Sequence, residues 1–343
     1  MKRSCLSVAI AGLVLGLAAP VASAAVTTPA DQREIRPDRE WTDTDGDRIN
    51  AHSGDVLEHD GVYYWYGTHK IPGTDERRGR TDLGVHVYRS RDLVNWEDMG
   101  LALTAADAPD TRGAKIQRAK VAHNPHTGEF VLMFKLYLRG DGIKRSHVGV
   151  ATSDTPAGPF TYRNRFLGVA PNGTGDHELW QDADGDLHHI AVQRDGTREL
   201  AVARMRDNYL EPATAYRRMR GIRPNTEGLA LSRRGGVFHL VGSGSSGWDP
   251  TAPRYYTSRS LEGPWAAQPN PLRGRNSITG MGTQRSFGGQ SSNSVHIGGN
   301  RYALMMDVHQ PRNPYDSRYI WLPLRIEDGQ AVVRWRDRWV PGA

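Results

Sequence analysis

A glycine-led strand pattern recurs five times along this chain, and that recurrence limits the possible folds more than any other feature. Each copy is a glycine followed by an apolar and aromatic run typical of a strand, and the five glycines are Gly61, Gly128, Gly185, Gly236 and Gly299. Their spacings of 67, 57, 51 and 63 residues leave room for several strands in each unit. Self-similarity on this scale is the sequence signature of a radially repeated architecture.

The residues around each glycine predict further strands. A short apolar stretch precedes every glycine, and turn sequences such as Asp60-Gly61 join the two runs as hairpins. A third strand follows in at least three units, at residues 85–88, 148–151 and 254–257. Five such units predict an all-β, five-bladed β-propeller, in which radial repetition leaves only short, protected edges. A β-sandwich is the competing all-β architecture.

Residues 1–24 have the composition of a cleavable export signal. Lys2 and Arg3 form a basic start, residues 6–19 are apolar, and Ala22-Ser23-Ala24 is a small-residue cleavage site. The apolar run is shorter than the roughly 20 residues that span a bilayer. We therefore expect a secreted, extracellular protein with no membrane association.

The remaining chain shows no composition break after residue 43 in its 343 residues. The predicted organisation is a signal peptide at 1–24, a polar N-terminal arm at 25–40 and a single propeller domain at 41–343. Nothing in the sequence points to an oligomer, so a monomer is expected.

Composition excludes several function classes. The only cysteine, Cys5, lies in the signal peptide, so the mature chain has no cysteine nucleophile, disulfide or thiolate metal site. The formal net charge is +6, but no dense basic stripe with interleaved aromatics is present, so nucleic acid is not an expected partner. The Asp-rich segments 43–47 and 182–186 lack the glycine and glutamate positions of a calcium loop and are predicted to be hairpin turns. No metal site and no required cofactor are predicted.

Polar residues stand just ahead of the five hairpins, where the innermost strand of a propeller blade meets the central channel. They are His52, Ser53, Asp55, Gln117, Arg118, Lys120, Asp176, His177, Glu178, Thr226, Glu227, Gln290, Ser291, Ser292 and Asn293. Carboxylates and amides in this number suit the hydroxyls of a sugar. Glu227 begins a strand expected to be buried, and burial favours the protonated form that a general acid needs. An ion pair with Arg223 or Arg118 is the alternative role for Glu227.

Five stretches, in order along the chain, resemble glycoside hydrolase family 43, and within it the exo-β-1,3-galactanase branch. They are residues 43–52, 63–67, 92–96, 243–250 and 316–323, and the resemblance covers nearly all of 42–340. It implies an inverting glycoside hydrolase on a five-bladed propeller, acting on a polysaccharide or oligosaccharide. Some relatives hold a structural cation in the propeller channel, and the resemblance leaves that ion open.

The resemblance also implies roles for individual residues. Glu227, in Thr226-Glu227-Gly228, matches the general acid, and Asp176 matches the carboxylate that tunes the acid and holds the sugar. Most of the family has an aspartate base where Ser53 stands, whereas the galactanase branch has a glutamine in the last blade, matched here by Gln290. Asp55 is the alternative residue for activating water. It lies two residues after Ser53, and on an extended strand residues two apart face the same side.

Substrate contacts are expected from the same region. Trp248 is predicted to be a stacking platform for the apolar face of a sugar ring. The other predicted substrate-binding residues are Gly247, Ser246, Gln117, Tyr137 and His52. Four other tryptophans sit in strand repeats and are predicted to be core residues: Trp65, Trp96, Trp265 and Trp321.

Two positions depart from the galactanase branch. Thr68 and Gln117 stand where the branch has glutamates, and a hydrogen-bonding pocket discriminates strongly on such contacts. An exo-β-1,3-galactanase, that is a galactan 1,3-β-galactosidase, is the first hypothesis. An arabinofuranosidase, arabinanase or galactofuranosidase on the same propeller is the second. A non-catalytic carbohydrate-binding propeller is the third.

Overall fold

The computed structural model describes residues 33–79, 81–247 and 249–342. The predicted signal peptide, the first part of the arm and Trp248 lie outside the described residues. The described chain is almost entirely β-structure, with two short 3-10 helices at Thr283–Gly288 and Pro314–Asp316. Within these ranges, no helix has the length and apolar character to cross a membrane.

Five sheets follow one another along the chain, each from one blade. Blade one holds β1 (His52–His59), β2 (Val62–Lys70), β3 (Asp82–Ser90) and β4 (Glu97–Thr104), and blade two holds β5 (Lys115–His123), β6 (Phe130–Tyr137), β7 (His147–Ser153) and β8 (Thr161–Phe166). Blade three holds β9 (Thr174–Gln181), β10 (Leu187–Gln193), β11 (Leu200–Arg204) and β12 (Arg217–Arg218). Blade four holds β13 (Thr226–Arg234), β14 (Val237–Gly244), β15 (Pro253–Ser258) and β16 (Ala266–Gln268). Blade five holds β17 (Leu272–Arg273), β18 (Gln290–His296), β19 (Arg301–Val308), β20 (Arg318–Glu327) and β21 (Gln330–Arg334).

The predicted hairpins and the five-bladed propeller are confirmed. The two strands that flank each glycine turn pair antiparallel, and the three predicted third strands lie within β3, β7 and β15. The innermost strands contact one another in the order β1, β5, β9, β13 and β18, and β18 contacts β1 again. This closed ring of sheets around a channel excludes the β-sandwich.

The ring closes through aromatic packing between the first and last blades. Ile35, in the described part of the predicted arm, forms a backbone bridge with Trp339 at the end of the chain. Trp41 then packs edge-on against Trp65 of blade one and Trp321 of blade five, with ring centroids 6.0 and 5.3 Å apart. All four tryptophans predicted as core are buried: Trp65, Trp96, Trp265 and Trp321.

Every innermost strand has a β-bulge near its leading end. The register shifts lie between His52 and Asp55, Gln117 and Lys120, Thr174 and His177, Glu227 and Ala230, and Ser291 and Asn293. A bulge adds one residue to the strand, bends it and changes the direction of the nearby side chains. The bulges therefore break the simple alternation of faces at the level where the polar residues meet the channel.

The two Asp-rich segments form turns, as predicted. The Asp43 carboxylate accepts the backbone N–H groups of Asp45 and Asp47 within its turn. In the second turn, the Asp182 carboxylate likewise accepts the backbone N–H groups of Asp184 and Asp186. In the part of the chain that the structure describes, no group of three or more His, Cys, Asp or Glu side chains is arranged to hold a metal ion.

Candidate active site

A cavity of about 320 Å³ opens at the leading ends of the five innermost strands. Each of these strands contributes to its wall, through His52 and Ser53, Gln117 and Arg118, Asp176, Glu227, and Gln290. The volume falls in the range of small-molecule pockets, about 300–1,000 Å³. The structure thus brings together three of the four predicted catalytic residues, Glu227, Asp176 and Gln290.

Glu227 lies at the start of β13, and its side chain is 18% exposed. Its Oε2 is 3.3 Å from a terminal nitrogen of Arg198, and the same guanidinium group donates to the Ser245 hydroxyl at 3.0 Å. The alternative pairing with Arg223 or Arg118 is wrong, because the ion-pair partner is Arg198 from the loop after β10. The carboxyl group is therefore held in position while one side stays open to the cavity.

Asp176 is buried and lies between two cations. Its carboxylate is 2.8 Å from Arg118 and 3.2 Å from the Lys135 ammonium, and it accepts the backbone N–H of Gly228 at 3.0 Å. Burial alone would raise the pKa of Asp176, but Arg118 and Lys135 lower this pKa well below the ordinary range. Asp176 therefore fixes the backbone next to Glu227, and its expected role in tuning the acid stays a prediction.

Gly228 permits the close approach of blades four and five at this point. Its φ is +63°, and a Cβ here would lie 2.7 Å from Gln290 Cγ and 2.8 Å from the Ser291 carbonyl oxygen. Any other residue would be strained in conformation and would push the Gln290 side chain away. The glycine therefore sets the spacing between Glu227 and Gln290.

Gln290 is fixed at both ends of its amide. Oε1 accepts a hydrogen bond of 2.5 Å from Arg118, and Nε2 donates to the Ser243 hydroxyl at 2.9 Å. Arg118 thus orients Gln290 and Asp176 with one guanidinium group. An amide oxygen has two lone pairs, so Oε1 can accept a second hydrogen bond from a water molecule.

Asp55 does not line this cavity. Its carboxylate accepts the Val121 backbone N–H at 3.0 Å and the Asn293 side-chain amide. The prediction that Asp55 shares a side with Ser53 is wrong, because β1 has a bulge between His52 and Asp55 and Ser53 has a φ of +53°. Asp55 instead borders a recess further along the channel, together with Glu178.

A buried ion pair lies in the channel beyond the cavity. The Lys120 ammonium donates to Glu178 at 2.8 Å and to the Ser292 carbonyl oxygen at 2.7 Å, and both side chains are almost completely buried. Burial raises the pKa of Glu178 to about 7, although Lys120 opposes this shift. The Lys120–Glu178 pair therefore lies inside the channel, and neither residue belongs to the cavity wall.

The predicted substrate-binding residues divide into two groups. Gln117, Tyr137, His52 and Gly247 line the cavity, whereas Ser246 is exposed outside its wall and donates to the Asp249 carbonyl oxygen. Trp248 lies outside the described residues, so its stacking role stays a prediction. Burial lowers the pKa of His52 well below its ordinary value, so its ring is neutral between Ser53 and His309.

Sequence analysis missed several residues of the wall. They are Asp307, His309, Lys115, Lys135, Arg194 and Arg198. Lys135 interrupts the apolar strand β6, and Asp307 follows the apolar run 302–306 in β19. Those interruptions were the available signal. Arg194 and Arg198 come from the loop after β10, where no pattern marks them.

The wall combines a partly exposed carboxyl group with an oriented amide and a buried carboxylate. Glu227, Gln290 and Asp307 line the same cavity, and Asp307 accepts the Ser53 backbone N–H at 2.9 Å. Hydrolysis of a glycosidic bond needs a proton donor on one side of the sugar and a group that holds and activates water on the other. The cavity contains both kinds of group.

Comparison with known proteins gave a family and several similar structures. The sequence model of glycosyl hydrolases family 43 matches residues 48–315. A comparison with curated protein sequences gave no match. Among solved structures, the family 43 β-1,3-galactosidase BT3683 with galactodeoxynojirimycin is similar, with a TM-score of 0.81 and 31% identity over 89% of this chain and 99% of that chain.

Two exo-β-1,3-galactanase structures are also similar. The Phanerochaete chrysosporium enzyme with β-1,3-galactotriose has a TM-score of 0.78 and 28% identity, over 90% of this chain and 68% of that chain. The Clostridium thermocellum enzyme has a TM-score of 0.78 and 28% identity, over 89% of this chain and 66% of that chain.

Proposed function

The chain belongs to glycoside hydrolase family 43 and is a glycoside hydrolase that acts with inversion, and from this premise we propose that it is a secreted exo-β-1,3-galactanase. It would release galactose from the end of a β-1,3-linked galactan. The solved structures similar to this chain include enzymes named for that activity. Membership of the family also favours hydrolysis over the hypothesis of a binding-only propeller.

The proposed reaction uses two sides of the cavity. Glu227 donates its proton to the glycosidic oxygen, and its ion pair with Arg198 keeps the carboxyl group in place. Gln290 orients the attacking water through Oε1. Asp176 accepts the backbone N–H of Gly228, the residue that follows Glu227 and packs against Gln290. In an inverting enzyme the acid and the group that activates water are about 6.5–9.5 Å apart, which leaves room for that water.

The observation that carries the proposal is that Glu227, Asp176 and Gln290 line one cavity of about 320 Å³. The buried Lys120–Glu178 ion pair lies further along the channel, and neither residue lines the cavity. A cavity of this limited volume favours the terminal sugar of a chain, which supports exo action.

A second candidate keeps the mechanism and changes the sugar. Gln117 lines the cavity where the galactanase resemblance implies a glutamate, and a neutral amide contacts sugar hydroxyls differently from a carboxylate. This position favours a different terminal residue, such as arabinofuranose or galactofuranose. The exchange Gln117→Glu is then expected to raise activity on galactan and lower activity on the furanosides.

Product analysis tests the proposal. The mature chain is incubated with β-1,3-galactan, arabinan and galactofuranan oligosaccharides, and the products are followed by anion-exchange chromatography. Galactose as the sole early product from galactan supports the proposal. A mixture of oligosaccharides as the early product would overturn exo action. Release of a pentose from arabinan, or of galactose from galactofuranan and not from galactan, would overturn the galactan assignment.

Secretion is tested separately in the source organism. The predicted signal peptide requires the protein in the culture medium with Ala25 as its first residue. A cell-associated protein that retains Met1 would contradict this part of the proposal.

A further inference from the structure

Asp307 occupies the position next to Gln290 in the cavity wall. The two residues are direct partners in the antiparallel pair of β18 and β19. Side chains of directly opposed residues lie on the same face of the sheet, with Cβ atoms about 4.5–5.5 Å apart. Both side chains line the cavity that also contains Glu227.

The Asp307 carboxylate is held in place but is not neutralised by an ion pair. Oδ1 accepts the Ser53 backbone N–H at 2.9 Å, and only 6% of the residue is exposed. Within residues 33–79, 81–247 and 249–342, no Lys, Arg or His side chain forms an ion pair with Asp307. Asp176, by contrast, has two cationic partners in contact, Arg118 and Lys135. Of the two buried carboxylates in the wall, Asp307 is therefore the one free to accept a proton.

Gln290 cannot take this role itself. Its Oε1 accepts from Arg118 and its Nε2 donates to Ser243, so both ends hold the side chain as an ordinary amide. An amide has no basic site at neutral pH, whereas the attacking water must lose a proton as it forms the new bond. A proton acceptor is needed within reach of the water that Gln290 orients.

We infer that Asp307 is the catalytic base of this hydrolase, taking a proton from the water that Gln290 orients. The inference rests on the proposed function and adds the group that completes the reaction. The water oxygen forms a bond to the anomeric carbon and gives one proton to Asp307, while the bond from that carbon to the glycosidic oxygen breaks. Glu227 gives its proton to the leaving oxygen, and solvent then restores both carboxyl groups.

The surroundings of Asp307 suit a base that works near neutral pH. Burial raises the pKa of Asp307. The Ser53 N–H, Arg118, the Ser292 side chain and His309 oppose this shift only in part. The Tyr319 phenol of β20 also faces Asp307, and burial raises the pKa of this tyrosine well above its ordinary value, so it stays neutral. The rise in pKa strengthens the carboxylate as a proton acceptor.

The test compares Asp307→Asn with wild type on β-galactosyl fluoride and β-1,3-galactobiose. An asparagine oxygen still accepts the Ser53 N–H, so the fold is expected to persist. We expect kcat to fall at least about 100-fold on both substrates with KM within threefold. Glu227→Gln is expected to lose activity on the disaccharide but to keep most of it on the fluoride, because fluoride leaves without a proton donor.

Azide gives a readout that a merely structural role would not move. Azide attacks without losing a proton, so Asp307→Ala with azide is expected to form α-galactosyl azide from β-galactosyl fluoride. Asp43→Asn is the matched control, since Asp43 is also buried, also accepts backbone N–H groups and lies outside the cavity.

The possible results separate the two proposals. If the wild-type protein is active and Asp307→Asn retains more than a third of its kcat, the base assignment is overturned and the proposed function stays intact. Absence of azide product from the alanine variant, with its fold confirmed by circular dichroism, would also overturn the assignment. A wild-type protein inactive on every galactoside would overturn the proposed function on which it rests.

Discussion

Gln290 and Asp307 face each other across two neighbouring strands of blade five, and both side chains reach the cavity that contains Glu227. Arg118 fixes the amide of Gln290, and the Ser53 backbone N–H fixes the carboxylate of Asp307. The site therefore provides a rigid acceptor for water on one side and a proton donor on the other.

The first prediction concerns Glu227→Gln. A glutamine keeps the size of the side chain but cannot protonate the leaving oxygen, so kcat on galacto-oligosaccharides is expected to fall about 10²–10⁴-fold. The loss should be much smaller with a dinitrophenyl galactoside, whose leaving group needs little protonation. Glu262→Gln, on the outer side of blade four, is the control and should leave kcat unchanged. Equal losses on both substrates would contradict the role of Glu227 as the acid.

The second prediction concerns Gln290→Ala. Removal of the amide takes away the water-orienting oxygen, and we expect kcat to fall at least about 100-fold while KM stays within threefold. Gln268→Ala is the control, because Gln268 also donates a hydrogen bond, to Thr257, but lies on an outer strand. A rise in KM with an unchanged kcat would assign Gln290 to ground-state binding instead.

Stability should respond to Asp176→Asn. The exchange leaves Arg118 and Lys135 buried without their anion, and breaking a buried pair in this way costs about 3–5 kcal/mol in the free energy of unfolding. Thermal unfolding at pH 7 should show the loss, and the exposed turn variant Asp328→Asn should not. An unchanged melting temperature would mean that the two cations have other partners.

The same variant should show a defined pH dependence. Burial opposes ionisation of Asp176, but Arg118 and Lys135 lower its pKa in the folded chain below the value of about 3.9 in an unfolded one. The stabilisation is therefore complete above the unfolded pKa and is lost as the pH falls through the folded pKa. The difference between wild type and Asp176→Asn in urea unfolding should shrink below about pH 4. A difference that grows in acid would contradict this sign.

The fifth prediction separates Asp55 from the reaction. Asp55 lies outside the cavity, and an asparagine can still accept the Val121 N–H, so Asp55→Asn should keep kcat within about threefold. The measurement is kcat of Asp55→Asn and of Asp307→Asn under the same steady-state conditions. A loss as large as that of Asp307→Asn would return Asp55 to the mechanism.

The order of strands could be predicted because local chemistry determines it. Glycine turns such as Asp60-Gly61 and the apolar runs around them specify each hairpin, and five hairpins of similar spacing specify the propeller. The buried tryptophans follow from the same strand pattern, as Trp65 and Trp321 show.

The site could be predicted only in part, because tertiary contacts determine the rest. Glu227, Asp176 and Gln290 stand at equivalent points of three blades, and the repeat alone brings them together. The direction of Asp55 depends on a bulge that no composition signal marks. Arg198 reaches Glu227 from a loop in another blade, a contact that exists only once the ring has closed.

The central claim is inverting hydrolysis of a β-1,3-linked galactan with Glu227 as the acid. Proton NMR of the mature protein with β-1,3-galactotriose, recorded within the first minutes, reports the anomeric configuration of the released galactose. The account predicts α-galactose first, then slow mutarotation, and no product from Glu227→Gln. β-Galactose as the first product, or equal turnover by Glu227→Gln, would contradict it.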